Sequence, residues 1–346
     1  MAIVIGCVAL WNYIFALRSA GHPAVPYEPR VPVPWGPRDV VIVAVSTIAI
    51  VGLCARLAVV SMPGRDDSEA VAVHESAEVA TTAATEKSSE SSTADAEADS
   101  DKAESKTSRT FTLIVAGACG TALALAVGVA WLRSRGANLL DLGIDCSQLP
   151  RDFRLGFAGF VAASIPIYLI QWTASHFIPA EHPVTDVLQS HPSPLMLLAT
   201  ALTAVIVAPV TEEFFFRVVL QGWLEARFAE RGVDHSADKP APATELEKNP
   251  DAARPVLFTE IAAPPAAETY ARALVSAPEP SAMPIVLSSF IFAIVHLEYG
   301  PSAVPLFFFA LVLGYLYRQT HRIWPSIVTH ASLNAFSTFI MVTSAS

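Results

Sequence analysis

The chain has 346 residues, of which 53% are hydrophobic, and its formal net charge is −10. Twelve acidic residues and two lysines between Asp66 and Glu104 account for the whole imbalance. The remainder is close to neutral, which excludes the strongly basic surface typical of nucleic-acid-binding proteins, so we expect no nucleic-acid partner.

Eight apolar blocks follow one another along the chain and are separated by polar stretches. A helix that spans a bilayer needs about 20 mostly apolar residues. The pattern therefore predicts an all-α, polytopic membrane helical bundle with about eight transmembrane helices in contact with lipid. The first block is slightly short, and a signal peptide is the alternative, although it has no basic start. The blocks are 1–17, 40–61, 110–132, 155–177, 195–217, 285–298, 303–317 and 323–343.

Two polar segments interrupt these blocks and predict disordered linkers. Residues 62–108 are rich in Ser, Ala, Thr, Glu and Asp, and residues 232–282 are rich in Pro, Ala and Glu. Neither has the apolar surface needed to offset the entropy of ordering a chain. We therefore expect an N-terminal two-span part (1–61), an acidic linker, and a larger membrane domain (109–346) that carries the Pro/Ala/Glu-rich insertion.

The distribution of lysine and arginine predicts the orientation. Arginines lie in the loops 18–38, 133–154 and 318–322, whereas the loops 178–194 and 299–302 have no Lys or Arg. Basic loops remain in the cytoplasm. We expect a multi-pass protein of the inner or plasma membrane with both termini outside the cytoplasm.

The fifth block ends in "PVTEEFFFRVVL", which brings three charges into an apolar segment. Glu213 and Arg217 are i and i+4 on a helix and share a face, so we predict that they pair. Glu212 is turned about 100° away and is left as a carboxylate in apolar surroundings, suited to proton transfer. Pro209, one turn upstream, predicts a bend. The alternative is that all three charges snorkel at the cytoplasmic interface.

Two later blocks also carry polar residues. His296 ends "SSFIFAIVHL", with Phe292 one turn before it, and "THASLNAF" places His330 and Asn334 at i and i+4. A lone histidine is more often a packing residue, and a His/Asn pair is more often a hydrogen bond between helices. The same pair can also donate hydrogen bonds to an oxyanion.

Taken together, these residues have the composition of a hydrolytic site. A carboxylate, two imidazoles and an amide from three different spans are what water-activated hydrolysis needs, and a divalent metal would assist by lowering the pKa of that water. The expected depths differ, because His296 lies far from the cytoplasmic end of a short span and His330 lies near it. The two meet only if helices tilt, the sixth starts deep or the bilayer is thinned.

The motifs resemble those of the CPBP family of intramembrane proteases, the type II CAAX-prenyl endopeptidase and bacteriocin-processing group. "EEFFFR" is similar to Glu-Glu-x-x-x-Arg, "FAIVH" to Phe-x-x-x-His and "HASLN" to His-x-x-x-Asn, in the same order. The resemblance implies an intramembrane endopeptidase that cleaves a membrane-associated or lipidated protein. The resemblance covers roughly residues 139–343.

The resemblance also implies roles for single residues. Glu212 and His296 would activate water, His330 and Asn334 would stabilise the oxyanion, and Glu213, Arg217 and Phe292 would support them. It leaves a metal open: if a divalent ion such as Zn²⁺ is used, its ligands would be Glu212, His296 and His330. Two other functions stay possible, namely a non-catalytic scaffold or immunity protein on the same fold and a proton-coupled transporter. The absence of a visible inverted repeat weakens the transporter interpretation.

Overall fold

The computed structural model describes residues 1–30, 32–62, 96–177, 193–237 and 281–345. These residues are organised into eight helical elements, and no strand occurs among them, so the predicted all-α class is confirmed. A 3₁₀ turn, Leu297–Ser302, joins the sixth and seventh. The helices are α1 (Ala2–Ser19), α2 (Pro37–Val60), α3 (Ala96–Ser134), α4 (Leu149–Phe177), α5 (194–237), α6 (Met283–Ile294), α7 (Ala303–Thr320) and α8 (Ile323–Ala345).

Each of the eight predicted apolar blocks forms a helix, but the helices are not equivalent. Six helices in the described part of the chain are long and apolar enough to cross a membrane, namely α1 to α5 and α7. α6 has only 12 residues and rises about 18 Å. α8 has 23 residues, but its hydropathy is lowered by polar side chains that include His330 and Asn334.

The two predicted linkers lie mostly outside the described residues. At their edges the helices extend further than predicted, because α3 begins at Ala96 and α5 continues to Ala237. The start of α3 reads "AEADSDKAESK", which is rich in residues with high helix propensity. Once a spanning helix has nucleated, such residues extend it at little cost.

α4 and α8 pack closely because α4 presents glycine to α8. A Cβ added at Gly156 would lie 2.6 Å from the Cβ of Val328 and 2.7 Å from the carbonyl oxygen of Pro325. Thr329 donates a hydrogen bond of 2.8 Å to the Gly156 carbonyl across the same contact. Small residues that let backbones approach are the usual basis of helix association in lipid. This contact fixes the start of α8, which carries His330.

α1 is attached to α4 at a carbonyl that a proline leaves free. Pro166 lies inside α4 and has no N–H, so the carbonyl of Ala162, four residues earlier, loses its helical partner. The indole Nε1 of Trp11 donates to that oxygen at 3.1 Å, and the Cys7 thiol lies 3.7 Å from it. A backbone carbonyl in lipid must be satisfied inside the protein. This requirement explains why α1 docks at this level of α4.

The segment that joins α1 to α2, which we call the strap (residues 20–30 and 32–36), lies against one end of the bundle. Val33 and Trp35 are buried in the main hydrophobic cluster with residues of α5 and α7. The Trp35 indole donates a hydrogen bond of 3.0 Å to the Val219 carbonyl. The N-terminal part of the chain therefore contributes to the same core as the C-terminal part.

A charged contact holds the strap to the turn between α7 and α8. Glu28 pairs with Arg322, and its backbone N–H donates to the Gln319 carbonyl at 2.8 Å. Arg322 also pairs with Asp152 of α4 at 2.8 Å. Burial works to lower the pKa of Arg322, but the hydrogen bonds to Asp152 and Glu28 outweigh it and hold that pKa above its ordinary value. The guanidinium is thus charged at any physiological pH.

Candidate active site

α5 departs from regular α-helical geometry around the Glu-Glu-x-x-x-Arg motif (residues 212–217), which we call the first motif. Two π-helical turns, Thr203–Val207 and Phe214–Gln221, flank a short α-helical piece, Ala208–Glu213. π-turns inside α-helices occur frequently at functional sites, because they rotate the residues that follow. Glu212 lies between the two π-turns, near the middle of the apolar span Pro194–Ala229. The first motif is thus placed within the span and not at its end.

Glu213 and Arg217 form a fully buried ion pair, as the i, i+4 spacing predicts. Both side chains are 0% exposed, and Arg217 Nε donates to Glu213 Oε2 at 3.1 Å. The Arg217 guanidinium carbon also lies 5.7 Å from the ring centre of Phe292, within cation–π range. The interpretation of these two residues as snorkelling interfacial charges is therefore wrong.

His330 connects the two glutamates. Its Nδ1 lies 2.8 Å from Glu213 Oε1, and its Nε2 lies 3.7 Å from Glu212 Oε2. The ring is buried and makes T-shaped contacts with two aromatic rings, Phe292 and Phe309. Because Glu213 is already paired with a cation, its oxygen acts as the acceptor and His330 Nδ1–H as the donor. The other nitrogen, Nε2, is left directed toward Glu212.

His296 lies in the turn directly after α6 and also approaches Glu212. Its Nδ1 donates to the Phe292 carbonyl at 2.6 Å, and its ring stacks on the Phe292 ring with centres 4.5 Å apart. This fixes the tautomer, so that Nε2 is the basic nitrogen. His296 Nε2 lies 4.0 Å from Glu212 Oε2. Phe292 therefore supports both the orientation and the tautomer of His296.

Glu212 is the accessible member of the group. Its side chain is 28% exposed, whereas Glu213 is 0% exposed. Distances of 3.7 and 4.0 Å from one carboxylate oxygen are too long for direct hydrogen bonds, yet one water oxygen about 2.8 Å from each partner would fit between them. The difference in depth expected for His296 and His330 does not keep the two imidazoles apart, because both reach the same oxygen of Glu212.

Asn334 is directed to a different partner. Its Nδ2 donates to the Ala204 carbonyl at 2.8 Å, within the first π-turn of α5. One amide N–H is therefore used to bind the backbone, and the contact lies one helical turn beyond His330 on α8. The predicted site residues thus divide into a converging set and one residue that binds α5.

The converging side chains were also the predicted ligands of a metal ion. His330 Nδ1 is held by Glu213 and His296 Nδ1 by a carbonyl, which leaves two Nε2 atoms and Glu212 as possible ligands. Across the described ranges no three His, Cys, Asp or Glu side chains are grouped so as to hold an ion. Metal binding by Glu212, His296 and His330 therefore stays a prediction, and the reaction proposed below uses no metal.

Three residues that sequence reasoning missed hold Arg217 in place. Ser288 of α6 lies 3.3 Å from Arg217 Nη1 and donates to Gln221 Oε1 at 3.3 Å. Gln221 Nε2 in turn donates to the Gly314 carbonyl at 2.9 Å. A Cβ at Gly314 would lie 2.9 Å from the Gln221 oxygen, so glycine makes room for this network. The sequence feature that could have indicated this network is the presence of Ser288 and Gln221 within apolar helices.

The comparison with protein families places these residues in a known group. The family model described as type II CAAX prenyl endopeptidase Rce1-like matches residues 194–237 and 253–336. This part of the chain is therefore similar to the Rce1-like family. The resemblance to the CPBP family drawn from the motifs is therefore confirmed. Searches of curated proteins and of solved structures found no match.

The Rce1-like segment contains all seven candidate residues, whereas α1 to α4 lie outside it. Residues 238–252, which the family model leaves unmatched, fall inside the predicted insertion, but residues 253–282 of that insertion are matched. The match to a protease family and the apolar helices together support an integral membrane protein.

Proposed function

We propose that the protein is an intramembrane endopeptidase that hydrolyses a peptide bond of a membrane-associated or lipidated protein. The observation that supports this most directly is the convergence of His296 and His330 on one oxygen of Glu212, at 4.0 and 3.7 Å. The three residues come from α5, α8 and the turn that follows α6, all within the Rce1-like segment. A site of this kind needs a base, a bound water and oxyanion donors within a few ångströms.

In the proposed reaction, Glu212 is the general base. A water held between Glu212 and the Nε2 of His296 loses a proton to the carboxylate as its oxygen attacks the carbonyl carbon of the substrate. The tetrahedral oxyanion accepts a hydrogen bond from Nε2–H of His330 in its protonated form. The Nδ1–H of the same ring keeps its hydrogen bond to Glu213. The C–N bond then breaks, and the proton passes from Glu212 to the leaving amine. One water is consumed, and both carboxylates return to their starting state.

The buried ion pair keeps this geometry fixed. Arg217 neutralises Glu213 in a region without solvent, so Glu213 remains an anionic acceptor for His330. Glu212 and Glu213 are adjacent in sequence, but only one of them is free to exchange a proton with the substrate. In our proposal the end of the bundle that carries the strap and Arg322 faces the cytoplasm, and both termini lie outside it, as the positive-inside rule predicts.

The test compares membranes that contain the full-length wild type with membranes that contain Glu212→Gln. Mass spectrometry of C-terminal fragments is expected to identify peptides that appear only with the wild type. His296→Ala is expected to lose the same fragments, whereas His176→Ala, in the last turn of α4 and outside the site, is expected to retain them. Identical fragment sets from the wild type and Glu212→Gln would reject the proposed function.

A further inference from the structure

The carbonyl of Ala204 has no donor within its own helix. In the first π-turn of α5 the Ala208 N–H donates to the Thr203 carbonyl, five residues back. The next residue that would reach Ala204 in this register is Pro209, which has no N–H. The combination of the π-turn and the proline therefore leaves the Ala204 oxygen unpaired inside an apolar span.

Asn334 of α8 occupies this position. Its amide donates to the Ala204 oxygen at 2.8 Å, and four residues earlier His330 contacts Glu213 at 2.8 Å. α8 is thus attached to α5 at two points on one face, on either side of Pro209. A backbone acceptor in lipid that lacks a partner costs several kcal/mol, so the contact is strongly favoured.

We propose that Asn334 is a positioning residue that binds the backbone of α5 and thereby holds His330 against Glu212 and Glu213. The proposal rests on the proposed function for its catalytic consequence. It differs from the direct oxyanion role implied by the family resemblance, because the amide acts on the substrate only through the placement of His330.

A double-mutant cycle of Asn334→Ala and Pro209→Ala distinguishes the positioning role of Asn334 from a direct oxyanion role. In the wild-type background Asn334→Ala leaves the Ala204 oxygen unpaired, and we expect the midpoint of thermal unfolding in detergent to fall by about 3–6 °C. In the Pro209→Ala background the new N–H can pair with that oxygen. The same substitution is then expected to lower the midpoint by less than half as much. Equal shifts in the two backgrounds would overturn the proposal.

The position of His330 is measured independently of cleavage. In protein labelled with ¹⁵N-histidine, Asn334→Ala is expected to shift the ring resonances of His330, and so is Pro209→Ala. Thr338→Val, one turn further along α8, removes a hydroxyl that donates to the Asn334 carbonyl within the same helix. This substitution is expected to leave the His330 resonances unchanged. Unchanged His330 resonances in Asn334→Ala would refute a positioning role.

Kinetics on a farnesylated CAAX peptide in proteoliposomes give the functional readout. A positioning role predicts that both single substitutions lower kcat with little change in KM, and that Asn334→Ala costs little more once Pro209 is replaced. A direct oxyanion donor predicts a loss of about 10²–10³-fold in both backgrounds, which would overturn the proposal. If Glu212→Gln cleaves as well as the wild type, the proposed function fails, whereas the thermal and spectroscopic results still decide whether Asn334 binds α5 and places His330.

Discussion

Substitutions of the two adjacent glutamates, Glu213 and Glu212, are expected to have different effects: the first lowers stability and the second abolishes cleavage. Glu213 is fully buried, lies 3.1 Å from Arg217, and also accepts from His330 at 2.8 Å. Glu213→Gln removes the charge but not the volume, and so leaves Arg217 as an uncompensated cation without solvent. Breaking a buried pair from one side costs about 3–5 kcal/mol. We therefore expect the midpoint of thermal unfolding to fall by on the order of 10 °C.

Glu212→Gln is the matched control, one residue away and with the same chemical change. Glu212 is 28% exposed, and its nearest ring nitrogens lie at 3.7 and 4.0 Å, so its interactions are worth less than about 1 kcal/mol. We expect this variant to unfold within about 2 °C of the wild type and to lose cleavage.

The assay is thermal unfolding in detergent, followed by tryptophan fluorescence, with monodispersity after heating as a second measure. The double variant Glu213→Gln/Arg217→Gln removes both charges together, so its loss of stability should be smaller than the sum of the two single losses. The reasoning is refuted if Glu213→Gln is as stable as the wild type, or if Glu212→Gln is destabilised to the same extent.

Three further predictions concern the surroundings of the site. Gly314→Ala places a Cβ 2.9 Å from the Gln221 oxygen, and we expect a loss of about 1–3 kcal/mol in stability together with a lower kcat. Trp11→Phe removes the donor to the Ala162 carbonyl, so we expect a loss of about 1 kcal/mol, measured by thermal unfolding, with little change in kcat. Incubation with EDTA should leave cleavage intact, because Glu212 activates the water without a metal in the proposed reaction; loss of activity that Zn²⁺ restores would contradict this.

Two neutral substitutions serve as controls for the packing and docking predictions. Gly117→Ala, on α3, adds a Cβ with nothing within 4 Å and is expected to have no effect. Trp172→Phe, on α4, alters an indole that is 62% exposed and is also expected to be neutral. Equal losses at Gly314 and Gly117, or at Trp11 and Trp172, would show that the close contact and the hydrogen bond are not the cause.

The sequence was most informative where the physical rule acts over a single helical turn. The pairing of Glu213 with Arg217 follows from their spacing, and the same spacing singles out Glu212 as the carboxylate without a local cation. The eight apolar blocks likewise correspond to eight helices, because block length and composition alone decide whether a segment is helical in lipid. These inferences need no knowledge of neighbouring helices.

Contacts between distant parts of the chain could not be predicted from such local rules. The approach of His296 to Glu212 depends on how α6 ends relative to the two π-turns of α5, and no local pattern encodes that relation. The same is true of Ser288 and Gln221, which are ordinary small and amide residues until tertiary packing brings them to Arg217. The strap is a further example, because its buried Trp35 bonds a carbonyl of α5 that lies 184 residues away.

The prolines inside helices occupy an intermediate position between these two cases. From the sequence alone, Pro166 and Pro209 each predict a carbonyl that loses its donor four residues earlier, on Ala162 and Val205. The π-turn of α5 moves the second of these to Ala204. In water such a carbonyl would be solvated at little cost, whereas in lipid it must recruit a side chain from another helix. In α4 the recruited donor is Trp11 and the result is the docking of α1; in α5 it is Asn334 and the result is the placement of α8. The proline therefore specifies that a contact must form and at what height, while the neighbouring helix determines whether that contact serves only stability or also orients the candidate catalytic histidine.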